Sequence, residues 1–158
     1  MPSLTAGVAK RDVTPPLGVD LTGYGGRSSG CTSIHDSVYA RALALSDGQT
    51  TVVLVSLDVL GIDFELRDRL RERAASLGIA ASCLVLNASH THAGPATQRL
   101  RGLGEPDAAY VDRFLDLTCE AVEEALSGLA AASLVATRGP ARIGHNRREH
   151  VLDGRTVL

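Results

Sequence analysis

The sequence predicts an α/β fold: a mostly parallel sheet built on right-handed βαβ crossovers, with flanking helices and a hairpin near the N-terminus. Three observations predict it. Apolar runs of strand length, TTVVLVSLDVLG, CLVLNA and SLVATR, alternate with two stretches whose apolar residues recur at helical spacing. Asp47-Gly48 stands between YARALALS and the first of those runs, where a tight turn joins two strands. At 158 residues with 44% hydrophobic side chains, the chain can bury one core and reads as a single unit.

The opening is punctuated by Thr14-Pro15-Pro16-Leu17-Gly18 and Gly23-Tyr24-Gly25-Gly26, which fix or free the backbone and predict an ordered loop. A loop of that length in a compact domain is usually functional. The hairpin follows, and its second strand, apolar throughout, is expected to be buried on both faces. From Asp63 the period changes: Leu66, Leu70, Ala74 and Leu77 share a face, Arg67, Arg69, Arg71 and Arg73 take the others, and Gly78 is placed as a stop. CLVLNA then leads into SHTHAGP. A polar loop precedes a second helix from about Asp107 to Leu126, with Tyr110, Phe114, Leu117 and Ala121 on one face, and SLVATR is read as the next strand. HVLDGRTVL ends the chain as a hairpin around Asp153-Gly154 whose second strand has barely begun. Residues 1–158 are therefore expected to be an incomplete domain, the N-terminal portion of a longer polypeptide.

Composition excludes some functions. A net charge of −2 gives no basic surplus for nucleic acid. Cys31, Cys83 and Cys119 form no CxxC pair, which argues against a disulfide framework or a thiolate zinc site. The N-terminus has no apolar signal region, and no run approaches the roughly 18 apolar residues of a membrane span. The expected location is the cytoplasm, or the cell exterior should the natural N-terminus lie upstream of Met1.

Crossovers of one hand bring parallel strands to a shared carboxyl edge, where ligands bind in such sheets. Asp58 ends one strand there and SHTHAGP follows another. In extended chain, residues i and i+2 point to one side, so His90 and His92 can converge on one ion or one substrate group. The same pair also suits a solvated turn. A catalytic zinc ion takes about three protein ligands; His35, Asp36, Asp58, His145 and His150 are the candidates to complete a set, with no HExxH beside them. In IGHNRR, Arg147 and Arg148 read either as a solvated basic pair or as a holder of a carboxylate or developing oxyanion. Asp58 reads first as a cap, and Tyr24 as a packed loop anchor.

Five blocks now fall in order: AGVAKRDVTPPLGVDLTGYGGR, IHDSVYARALAL, TTVVLVSLDVLG, LNASHTHAGP and IGHNRR. Together they resemble the N-terminal part of the catalytic domain of neutral/alkaline non-lysosomal ceramidases, from Ala6 to about Arg148. The resemblance implies a zinc-dependent amidase that cleaves the N-acyl bond of ceramide-like lipids. It implies that His90 is a zinc ligand and that His92 lies beside the metal in the substrate site. Arg147, with Asn146 next to it, would bind substrate or stabilise the oxyanion. His35 and Asp58 fall in family motifs without an assigned role. Ser89 and Ala93 depart mildly from the family pattern. The family's other zinc ligands, a histidine, a glutamate and a tyrosine, and its active-site serine come later in the polypeptide, so this chain would supply part of a one-zinc site. Two rival readings remain: a noncatalytic module of the same scaffold that binds a ligand or partner, and an HxH site of the cupin or amidohydrolase kind complete within the chain.

Overall fold

The computed structural model describes residues 4–144, 148–150 and 154–157. His145, Asn146 and Arg147 lie outside the described residues, as does the side chain of His150. Three strands open the chain: β1 (Thr5–Asp12), β2 (Tyr39–Ser46) and β3 (Thr51–Leu57). α1 (Phe64–Ala75), a short 3-10 turn (Ala81–Cys83) and β4 (Leu84–Ala88) follow, then α2 (Ala108–Ser127) and β5 (Ala130–Ala131). β6 (Glu149–His150) and β7 (Thr156–Val157) form a separate antiparallel pair, as the hairpin reading of the C-terminus requires.

Local chemistry explains the elements that the sequence announces. Asp47 accepts hydrogen bonds from the backbone N–H groups of Thr50 (2.8 Å) and Gln49 (2.9 Å), closing the β2–β3 turn. Those two donors hold its carboxyl below the usual carboxylate range. Asp63 and Asp107 cap α1 and α2, accepting from Leu66 N (2.8 Å) and Tyr110 N (2.7 Å). α1 buries Leu66, Leu70 and Ala74, while α2 buries Tyr110, Phe114, Leu115, Ala121 and Val122 among others. Leu117 packs at the edge of that core. The arginine face of α1 is less free than its spacing suggests: Arg69 pairs with Asp112 (2.5 Å), and Arg73 with Asp112 and Asp116 on α2. All three cysteines are free thiols.

The sheet order is β4-β3-β2-β1-β5, and here the expectation of a mostly parallel sheet is overturned. β1–β2, β2–β3 and β1–β5 are antiparallel; among the described residues β3–β4 is the one parallel pair. The cause is connectivity. Only α1 makes a crossover between neighbouring strands, whereas α2 returns the chain to the far edge, beside β1. β1 itself is invisible as an apolar run. Its Gly7 is buried while Val8 is 74% exposed, which inverts the usual signal. A Cβ at Gly7 would lie 1.9 Å from the carbonyl oxygen of Ala125, so the approach of α2 leaves no room for a side chain.

Two further expectations fail. SLVATR is not a strand: β5 stops at Ala131, and Leu134 and Val135 are exposed. Antiparallel register pairs Ala131 with Thr5 at the start of β1, so the chain runs off the end of its partner. Nor is β3 buried on both faces. Both helices cover the same side, over Ala42, Ala44, Val53 and Val55. On the other side Val8, Leu43, Leu54 and Val85 form a row in register across four strands, uncovered among the described residues.

Two stability changes should follow from these contacts. Gly7→Ala should lower unfolding free energy by about 1–3 kcal/mol, because the helix backbone must move; urea denaturation measures it, and an unchanged midpoint would contradict the close approach. Tyr110 donates its hydroxyl to the Val13 carbonyl at 2.5 Å in the interior, and burial pushes the phenol pKa up. Tyr110→Phe should therefore cost about 1 kcal/mol in the same assay, leaving that carbonyl unpaired.

Candidate active site

The parallel pair β3–β4 places two chain exits side by side. Leu57 is in register with Ala88, and Ser89 N donates to Leu57 O at 2.9 Å. The chain then turns sharply at His90, whose φ of 60° lies in the left-handed region. Gly94 completes the bend: a Cβ there would stand 2.9 Å from the Asp58 carbonyl oxygen, so the returning chain passes over the end of β3 only as glycine.

This turn presents both histidines together. The imidazole centroids of His90 and His92 are 4.9 Å apart, with the rings 81° to each other. Nδ1 of His90 lies 2.7 Å from Leu60 O, and Nδ1 of His92 lies 2.7 Å from Gly23 O. A carbonyl can only accept, so each Nδ1 carries a proton and donates it. The neutral ring must then hold its lone pair on Nε2. Backbone carbonyls of this kind orient metal-binding histidines and fix their tautomer. The donor set at His90 therefore fits a zinc ligand bound through Nε2.

The glycine-rich opening loop wraps this turn. Leu21 bridges Pro95, Thr22 N donates to Gly94 O at 3.0 Å, and Ala96 N donates to Asp20 O at 2.8 Å. Gly23 then passes so close to His92 that a Cβ would stand 2.6 Å from its Cα. Tyr24 is an exposed ring beside His92, centroids 5.2 Å apart, rather than a packed anchor.

The remaining candidates separate. Asp58 reaches the same sheet edge, but its Oδ2 accepts from Tyr39 N (2.9 Å) and from Arg41 (2.8 Å), tying the start of β2 to the end of β3. The carboxylate thus bridges two strands rather than capping a helix or turn. His35 pairs with Asp36 at 2.7 Å on the surface, and this hydrogen bond raises its pKa. The two line a cavity of about 390 Å³ together with Thr91 and Ala93, the residues that alternate with the paired histidines. Among the described residues no three His, Cys, Asp or Glu side chains gather closely enough to hold a metal ion. Leu60 and Gly23 act through backbone carbonyls, which residue type does not signal; only the glycines of LTGYGGR hint at a close approach.

Fold and site together define an α/β domain that displays a histidine pair from the turn after a parallel strand. The chain belongs to the neutral/alkaline non-lysosomal ceramidase family, whose N-terminal profile matches residues 4–144. Among solved structures it is similar to the neutral ceramidase of Pseudomonas aeruginosa, at 23% identity and a TM-score of 0.71 over 83% of this chain and 22% of that one. A structure described as a ceramidase complexed with C2 gives a TM-score of 0.72 at 23% identity, with the same coverage of both chains. At this identity the likeness establishes the fold, and the chain spans about a fifth of the length of those proteins. No curated protein matches it. No helix of the described residues is long and apolar enough to cross a membrane.

The loop contact yields a direct test. Gly23 has a φ of 102° and no space for a Cβ. Gly23→Ala should destabilise the fold by about 1–3 kcal/mol, seen as a lowered thermal midpoint; a variant as stable as the parent would mean that the loop does not dock on His92.

Proposed function

We propose that this chain is the N-terminal part of the catalytic domain of a zinc-dependent amidase that cleaves the N-acyl bond of a ceramide-like lipid. The observation that carries this reading is the pair of Nδ1–H to carbonyl bonds, which leaves two Nε2 lone pairs at one sheet edge within the family-matched segment. His90 would hold the zinc ion through Nε2, with further ligands supplied by polypeptide beyond these residues. When bound, zinc would supply Lewis-acid polarisation of the amide carbonyl and would acidify water.

The chain's own residues do the rest. His92, held upright by Gly23 O, offers Nε2 as acceptor for a substrate hydroxyl or for the proton displaced during attack. Arg147, with Asn146 beside it, is assigned to bind substrate and stabilise negative charge on the former carbonyl oxygen, for which a permanently charged planar fork is suited. The apolar part of the substrate is a lipid, in keeping with the family.

His90→Ala in the complete polypeptide is the decisive change. Zinc content by metal analysis should fall below one ion per chain, and hydrolysis of an N-acyl sphingoid lipid should drop about a hundredfold or more. Treatment with a chelator should reproduce the loss, and added zinc should restore the parent but not the variant. Equal hydrolysis by parent and variant would remove His90 from the site.

A further inference from the structure

We infer that Arg27 is the positioning residue for His92: its guanidinium fastens the glycine-rich loop to the histidine turn and so fixes which ring nitrogen of His92 is free. Its functional meaning rests on the role proposed for His92, but its geometry does not. Arg27 Nη1 donates to Thr22 O at 2.7 Å, and Nη2 donates to His92 O at 2.9 Å. The two anchors sit on either side of one contact. Thr22 immediately precedes Gly23, whose carbonyl accepts from His92 Nδ1. One rigid fork therefore clamps both backbones that must stay in register for that bond to persist.

Aromatic contacts extend the clamp. The Arg27 guanidinium lies 5.1 Å from the centroid of Tyr24, and Tyr24 lies 5.2 Å from His92 with the rings tilted by 59°, so cation, phenol and imidazole form a chain of contacts. Arg27 also differs from the arginines that make ion pairs. Arg11, Arg41, Arg67, Arg69 and Arg73 each meet a carboxylate, whereas Arg27 meets none among the described residues. Its hydrogen-bonding capacity is directed to backbone carbonyls. Gly23, Gly25 and Gly26 give the loop little stiffness of its own. A lysine could not replace the fork, since a single ammonium cannot hold two carbonyls in fixed planar geometry.

Thr22 N–Gly94 O and the Leu21–Pro95 bridge would still hold the base of the loop, but without the clamp Gly23 O would be held less closely against Nδ1, and the neutral ring would exchange between its two tautomers. Side-chain ¹⁵N spectra separate protonated from unprotonated ring nitrogens and read this directly. In the parent, His90 and His92 should both show protonated Nδ1. In Arg27→Met, His92 should move toward a mixture of tautomers, while His90, held by Leu60 O, stays as in the parent and reports an intact fold. Arg27→Lys should lie between the two. His92 unchanged in Arg27→Met, or His90 shifting equally, would overturn the assignment. In the complete polypeptide the same variant should lower kcat about tenfold with KM within about twofold. A parent that hydrolyses no N-acyl lipid would sink the proposed function yet leave the tautomer result standing.

Discussion

β4 lies parallel to β3, and that pairing decides where the histidine pair sits. Parallel neighbours end at the same edge, so the chain leaving Ala88 emerges beside the chain leaving Leu57. The Leu60 carbonyl, three residues past β3, is thereby within reach of His90. Had β4 entered antiparallel, its final residues would lie at the opposite edge. The crossover that enforces the parallel entry is α1, whose buried Leu66 and Leu70 hold it to the sheet. The buried apolar contacts of one helix thus help fix the position of an imidazole on another segment of the chain.

The site is otherwise made by backbone. Gly94 lets the turn return over the end of β3, and Gly23 lets the opening loop come alongside His92. The carbonyl of residue 60 orients one histidine and the carbonyl of residue 23 the other. Backbone carbonyls have no titration near neutrality, so the tautomers they impose do not depend on the charge state of a neighbouring side chain. A carboxylate in the same place would orient the rings equally well but would add a negative charge to the site.

This explains how much could be read from letters. Both helices were legible, because period, cap and stop agree at Asp63, Gly78 and Asp107. The β2–β3 hairpin was legible from Asp47-Gly48, and the histidine pair from its place after an apolar run. β1 was not, since its inward position is a glycine hidden by a helix and its valine faces out. Strand direction was not legible either: α2 looks like a second crossover until Ala130 is seen beside Ala6 at the opposite edge. The apolar character of β3 has two sources, a helix-covered face and an uncovered row, that a hydropathy pattern cannot tell apart. The partners of His90 and His92 are main-chain atoms, which no residue type advertises.

His90 is the one non-glycine residue with positive φ among the described residues. A side chain held in that region stores of order 1–3 kcal/mol. Glycine or asparagine would sit there more comfortably, and neither carries an imidazole. Backbone comfort and the imidazole therefore make opposite demands on one position. A substitution that relaxed the backbone at this position would remove the imidazole with it. The fold thus carries at position 90 an imidazole, oriented by the Leu60 carbonyl, at the expense of local backbone comfort.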